Sequence, residues 1–498
     1  MIKMKLEKTI LIFLMFGLIG CSDKENDRVI INGKIEGKKA EKVEFTTPIN
    51  GKWFYGNKIS IASDSIGTFK IEMDIEEPSF VTIYSSGKAG ILLVEPSMTY
   101  DVNYDFQTNQ KRFSSLSSDS IGQNLYNTFP PPDFNLFELG AFLQDSIPSK
   151  ISSKINEFKE KEISKFEKLL EKGKISNGFH KLSVLDRECY YQAVETRVAN
   201  LLLGKFFLEK NTDGIKDVRK FWKKKLDITK LTESDYTRSP WYYTLVDNLI
   251  RFEQLSAEKF NFENLNQSFQ TIDNYENNIN QAKTYLSGEK LEYYLASYIF
   301  FQSWASKDNS KDIINIYDQF KREYPDSRYH EYLASSIKPI IDFHEKLENA
   351  PINEKIHLVK NQENIDTFDE LIEELRGKKI FVDIWGTWCG PCKKEFRLKD
   401  KYAELLKSKE IITLYICEGK NSKKKNWSEM IEFYELEGQH IFTNEKLLAD
   451  IHDRFGKNGF AYPRYLLVDE NGKVVNEQAS YPSKTEQLEK EINENYVW

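Results

Sequence analysis

The run Lys379 to Trp385 is apolar on both faces except for one acid, Asp383, and it leads straight into Cys389-Gly390-Pro391-Cys392. A strand that buries both faces needs helices on both sides of its sheet, and such sheets are built from parallel strands joined by helical crossovers. The neighbouring segments comply. "TFDELIEELRG" reads as a helix ended by Gly377, "IITLYIC" as the next strand, and "NWSEMIEFYELEG" and "NEKLLADIHDRFG" as helices. Tyr465 to Asp469 and Lys473 to Asn476 form a predicted hairpin across Glu470-Asn471-Gly472, and "KTEQLEKEINENY" closes the chain as a helix. Residues 355–498 are therefore expected to form an α/β domain in which the cysteine pair opens a helix directly after a strand.

The chain has 498 residues, too many for one ordinary core, and its texture changes twice before that domain. Residues 28–107 alternate with period two, as in Phe69 to Ile75 and Tyr100 to Phe106, which predicts a small antiparallel β-sandwich. A Ser-rich stretch near Ser114 to Ser120 and the prolines Pro130 to Pro132 mark a linker. Residues 135–350 have helical spacing, as in Ile155, Phe158, Ile163, Phe166 and Leu170, and predict an all-α domain. Its aromatic stretches "SPWYYTLVDNLIRF" and "EYYLASYIFFQSW" read as helix-packing core in preference to a ligand groove. No 34-residue period is sustained, so a repeat array is not expected.

Lys3, Lys5 and Lys8 precede an apolar run from Ile10 to Ile19, too short to span a bilayer, which reads as a signal peptide over residues 1–20. Leu18-Ile19-Gly20-Cys21 resembles the lipobox of bacterial lipoproteins, which implies cleavage before Cys21, its acylation, and an exported, lipid-anchored protein. Ser22 in place of an aspartate favours, by the same resemblance, the outer membrane, on its periplasmic side or at the cell surface. With Cys21 lipidated, four of the five cysteines remain, which rules out a disulfide-dense scaffold. Cys189 and Cys417 read as small buried hydrophobes, with a third thiol near the site as the alternative for Cys417. A formal net charge of −7 and short lysine runs give no footprint for nucleic acid.

The Cys389/Cys392 pair has three candidate roles. Structural zinc wants four ligands, and one pair with six scattered histidines does not supply them. A staple that closes so small a loop constrains the unfolded chain little. Thiol–disulfide exchange suits the position, because the N–H groups and dipole of a helix N-terminus favour a thiolate. Cys389 is then expected to be the exposed nucleophile and Cys392, one turn inside, the buried resolving thiol, with Pro391 pinning the backbone between them. No metal or other cofactor is called for. A lone carboxylate at Asp383 costs several kcal/mol unless it is used or paired, so a general base is preferred to a bystander.

Trp388-Cys389-Gly390-Pro391-Cys392 and its surroundings resemble the thioredoxin superfamily, specifically exported TlpA/ResA-like thiol-disulfide oxidoreductases, over roughly residues 355–498. The resemblance implies that Asp383 lies beneath Cys392 and moves its proton, and that Trp388 covers the thiol, with plain packing as the alternative. It also implies a cis peptide before Pro463, which turns the backbone of Tyr462 toward an extended substrate; a trans proline opening an edge strand is the alternative. The hairpin that usually precedes the first helix in that family is not evident here. The expected activity is reduction of disulfides in exported proteins, with electrons from a membrane donor. A surface lipoprotein whose helical domain captures a ligand is the competing reading.

Overall fold

The computed structural model describes residues 28–37, 42–85, 87–106, 110–115, 119–131, 139–226, 235–257, 275–305, 309–349, 353–420, 422, 424–456 and 459–496. Cys21 and the leader before it lie outside these residues. Among the described residues no helix is long and apolar enough to cross a membrane.

The period-two region forms eight strands: β1 (Arg28–Glu36), β2 (Val43–Thr46), β3 (Lys58–Ile61), β4 (Thr68–Asp74), β5 (Ser79–Ser85), β6 (Lys88–Val94), β7 (Thr99–Asp105) and β8 (Gln110–Ser115). They make two four-stranded sheets, β4-β1-β7-β8 and β3-β2-β5-β6. Phe69, Ile71 and Met73 point inward from β4 while Lys70 and Glu72 point out, and the apolar faces of both sheets meet in one core. The expectation of wholly antiparallel pairing needs correction, since β1 and β7 run parallel. Alternation encodes which face is buried and says nothing of strand direction. Here the chain leaves for the second sheet and returns, so that β7 enters the first sheet beside β1.

The stretch read as linker also holds structure. Strand β8 ends in it, and a short helix follows, α1 (Ser120–Tyr126), where side-chain amides of the helix and its C-cap residue treat a strand as a partner. Gln123 accepts from Leu93 N–H at 3.1 Å and donates to Leu93 O at 2.6 Å, and Asn127 does the same for Ile91 at 2.9 and 2.7 Å. Two side-chain amides thus complete the open edge of β6, which would otherwise invite another strand.

The middle region is helical: α2 (Pro148–Glu171), α3 (Asn177–Leu208), α4 (Thr212–Lys225), α5 (Tyr242–Ser256), α6 (Tyr275–Tyr285), α7 (Gly288–Phe300), α8 (Lys311–Glu323) and α9 (His330–Asn349). The aromatic stretches are core, with Trp241, Tyr242, Tyr293, Tyr294 and Tyr298 all buried. Trp304 and Phe158, at 45% and 40% exposure, depart from it. Ile49 and Phe54, from the strand region, pack into the helical core, so the two regions share an apolar boundary.

The C-terminal region runs β9 (Ile356–Leu358), α10 (Phe368–Glu373), β10 (Lys379–Trp385), α11 (Gly390–Phe396), α12 (Asp400–Ser408), β11 (Ile411–Cys417), α13 (Lys424–Phe433), β12 (Gly438–Phe442), α14 (Glu445–Phe455), β13 (Arg464–Val468), β14 (Val474–Asn476) and α15 (Thr485–Asn495). One six-stranded sheet, ordered β14-β13-β10-β11-β12-β9, puts β10 at its centre. Sequence reasoning missed β12 and β9, both short and partly polar, and placed a helix at the cysteine pair without giving its end or naming α12. Helix α9 docks on α13, with Phe343 and Phe433 rings 4.5 Å apart and Lys346 Nζ donating to Phe433 O at 2.8 Å.

Candidate active site

Strand period two assigns the site its floor. Phe381, Asp383 and Trp385 share the face of β10 that α11 and α12 cover, while Ile380, Val382 and Ile384 face the opposite core. In-register pairing sets Asp383 between Tyr415 on β11 and Tyr465 on β13. Asp383 is fully buried, and neither carboxyl oxygen has a hydrogen-bond partner among the described residues. Burial, and after it the charge of Glu395, pushes its pKa well up.

Above that floor, Cys389 caps the N-terminus of α11 and is joined to Cys392 as a disulfide. Cys389 Sγ accepts the Cys392 N–H at 3.1 Å, satisfying one of the donors that a helix start leaves open. Cys392 is fully buried. Cys389, expected to be exposed, is only 2% exposed, because it packs in one apolar cluster with Cys392, Trp385, Phe396 and Cys417, against which Tyr462 also lies. Trp388 folds back over Gly386, where a Cβ would come within 2.8 Å of the indole nitrogen. The indole N–H donates to Glu418 Oε2 at 2.9 Å, and the ring meets Tyr462 edge-on at 5.3 Å. Tyr462 Oη is held by His452 Nε2 at 2.9 Å, and the Tyr462–Pro463 peptide is cis. Trp388 itself remains 45% exposed.

Two carboxylates of this site went unread in the sequence. Glu395, 9% exposed on α11, accepts Ser483 N–H at 2.8 Å, and its charge acts on Asp383. Its signal was position: three residues after Cys392 on a helix is the same face. Glu418, 2% exposed, follows the last residue of β11, where strand ends line the crevice of an open sheet. Cys417 is buried in the same apolar cluster as Cys389 and Cys392, and remains a free thiol whose pKa burial raises. Cys189 is buried in the helical core. A dithiol here can pass two electrons to a disulfide, with a buried acid to take or return a proton.

Residues 366–494 match the family model described as Redoxin. Over 114 residues the chain is 30% identical to a thiol-disulfide oxidoreductase ResA of Bacillus subtilis, covering 22% of this chain and 59% of that one. Over 123 residues it is 34% identical to a ResA of Bacillus anthracis, covering 24% and 64%. The solved thioredoxin domain of a thiol-disulfide oxidoreductase from Bacteroides vulgatus aligns at 22% identity over 24% of this chain and 81% of that one, with a TM-score of 0.21. The chain thus spans 59% and 64% of the lengths of the two curated relatives.

Proposed function

We propose, on the premise that residues 366–494 form a thioredoxin-superfamily domain of the TlpA/ResA-like kind, that the chain is a thiol-disulfide oxidoreductase that reduces protein disulfides. The observation that carries this reading is the Cys389–Cys392 disulfide at a helix start, above a buried and unpartnered Asp383. In the reduced enzyme, the Cys389 thiolate attacks one sulfur of a substrate disulfide; that bond breaks, and the departing thiolate takes a proton from solvent. Cys392 then gives its proton to the Asp383 carboxylate and attacks Cys389 Sγ. The mixed disulfide breaks, the second substrate thiolate leaves, and Cys389–Cys392 closes. Two electrons have passed to the substrate, and Asp383 ends the cycle protonated, the state its burial favours. Reduction by a donor dithiol reverses the steps and returns the proton to Cys392.

Access requires Trp388 and Tyr462 to part, so these two, with the backbone ahead of Pro463, are the proposed substrate contacts. Export by the leader, acylation at Cys21, attachment to the outer membrane and a membrane-linked electron donor complete the proposal, resting on the leader's resemblance to a lipobox. The competing ligand-capture reading loses its main feature, because the aromatic stretches that would line a groove are core. The test is insulin reduction by the full chain with dithiothreitol. Rapid precipitation that Cys389→Ser abolishes is the expected result, and background rates would refute the assignment.

A further inference from the structure

The β-sandwich is closed on one flank and open on the other. At the closed flank α1 completes β6 through Gln123 and Asn127, and Asn124 meets Phe113 N–H and O on β8 at 3.2 and 2.7 Å. The opposite flank is edged by β4 in one sheet and β3 in the other. Ile30 N–H turns to Met98 O on the β7 side and Ile35 N–H to Gly67 O on the β4 side, so alternate β1 residues serve alternate neighbours. Phe69, Ile71 and Met73 therefore exchange bonds with Gly33, Ile31 and Val29. Lys70, Glu72 and Asp74 turn their N–H and C=O groups outward, where no partner meets them among the described residues. Thr68 ends the open stretch, its N–H donating to Asp64 Oδ1 at 2.8 Å and its O accepting Asp64 N–H at 2.9 Å. The core is bare at the same flank. Ile59 and Ile61 of β3 lie opposite Phe45 and Val43, both core residues, and share their inward face, yet Ile59 is 40% exposed. An open strand edge with apolar surface beside it is a feature that proteins cover or disrupt.

We propose that this flank is a dimer interface, in which β4 pairs antiparallel with β4 of a second copy of the chain about a two-fold axis at Ile71. The strand's own sequence, Thr-Phe-Lys-Ile-Glu-Met-Asp, selects that register. With Ile71 opposite itself, Lys70 faces Glu72 of the second copy and Glu72 faces its Lys70, while Phe69 and Met73 meet on the core side. Lys70 and Glu72 are both outward-bonding residues, so each of these pairs exchanges two backbone hydrogen bonds. The neighbouring two-fold registers fail. An axis at Lys70 or Glu72 sets each charge against itself, an axis at Met73 sets Glu72 against Asp74, and like charges directly opposite are destabilising. An axis at Phe69 needs the backbone groups of Thr68 that Asp64 already holds. A complementary strand must carry a cation and an anion in the reverse order, and β4 is itself such a strand. Within one chain Glu72 is met by Arg28 at 3.1 Å and by Lys70, so the pairing extends a charge cluster on the solvent face and buries no charge alone. The same axis brings the two β3 edges to the joined flank, where Ile59 gains apolar cover. This interface is independent of the redox reading.

The experiment is sedimentation equilibrium of the full chain at low salt, where exposed charges are least screened. The wild type should show a concentration-dependent dimer. Lys70→Glu and Glu72→Lys each set like charges opposite one another in both pairs, and each alone should raise the dissociation constant about 10- to 100-fold. An equimolar mixture of the two variants should recover the wild-type constant, because the Lys70→Glu chain then faces the Glu72→Lys chain with opposite charges in both pairs. Both positions are exposed, so the sandwich should stay folded in either variant, and circular dichroism matching the wild type checks this. A monomeric wild type, which would leave the edge to a strand of another protein, would overturn the interface. So would a dimer indifferent to both variants, or a mixture that associates no more tightly than its components.

Discussion

Replacing Asp383 by asparagine should change how stability depends on pH, and the structure sets both sign and slope. The unfolded carboxyl titrates near 4, whereas the folded one is raised well above that by burial and by the Glu395 charge. Between those two values the folded state binds one more proton than the unfolded, so stability is full below the unfolded pKa and falls as pH rises toward the folded one. The slope is about −1.4 kcal/mol per pH unit for one proton. A second buried group opposes it: His440 is lowered to about 4 by burial, so its contribution is lost as pH falls from about 6.5. The raw slope below about 6.5 therefore mixes the two, and the difference between wild type and Asp383→Asn isolates the acid. The assay is amide-exchange protection of the slowest amides of β10 and β11 in the full disulfide-bonded chain, from pH 5 to 8, converted to opening free energies. The variant should gain on wild type by about 1.4 kcal/mol for each unit that pH rises within the window. Parallel pH curves for the two proteins would refute a buried, protonated Asp383. Glu395→Gln should shorten the window from its upper end by removing the charge that helps hold the proton.

Four further outcomes follow from the same geometry. Cys392→Ser should accumulate mixed disulfides on non-reducing gels and Cys389→Ser should not, since Cys389, which caps α11, is the proposed nucleophile; the reverse pattern would exchange their roles. Asp383→Asn should slow insulin reduction near pH 7 by about 10- to 100-fold, measured at saturating dithiothreitol. Glu418→Gln should weaken the charge-assisted bond that holds Trp388 and so speed alkylation of reduced Cys389, read by mass spectrometry. Phe343→Ala should cost about 3–5 kcal/mol at the α9–α13 contact, seen as faster amide exchange in α13.

What the sequence made legible was local. An acid in a strand apolar on both faces announced a buried carboxyl, and a cysteine pair straight after a strand announced a helix start. Aromatic side chains at helical spacing announced core. What stayed hidden depended on partners distant in sequence. Glu395 sits behind two lysines and reads as a solvated helix face until α11 is laid on the sheet. The burial of Cys389 comes with an apolar cluster that includes Trp385, Cys417 and Trp427, brought together from segments distant in sequence. Helix α1 was lost in a serine-rich stretch because its reason to fold is the open edge of β6, which Gln123 and Asn127 complete. The parallel pairing of β1 with β7 is a matter of chain path, which no alternation pattern records.

If the dithiol acts as proposed, its sulfur atoms must stay dry between turnovers, because a thiolate exposed to water and oxidants is open to side reactions. Trp388, next to Cys389 in the chain, is held by Glu418 and braced by Tyr462. The buried acid is costly to fold around while charged, and in the proposed mechanism that cost gives it an affinity for the Cys392 proton. The packing of α9 against α13 gives the sulfur side a fixed wall, because Phe343 belongs to the same apolar cluster as Cys389 and Cys392. A partner protein that engages the helical domain near α9 would thus touch an element that is continuous, through packed side chains, with the disulfide itself.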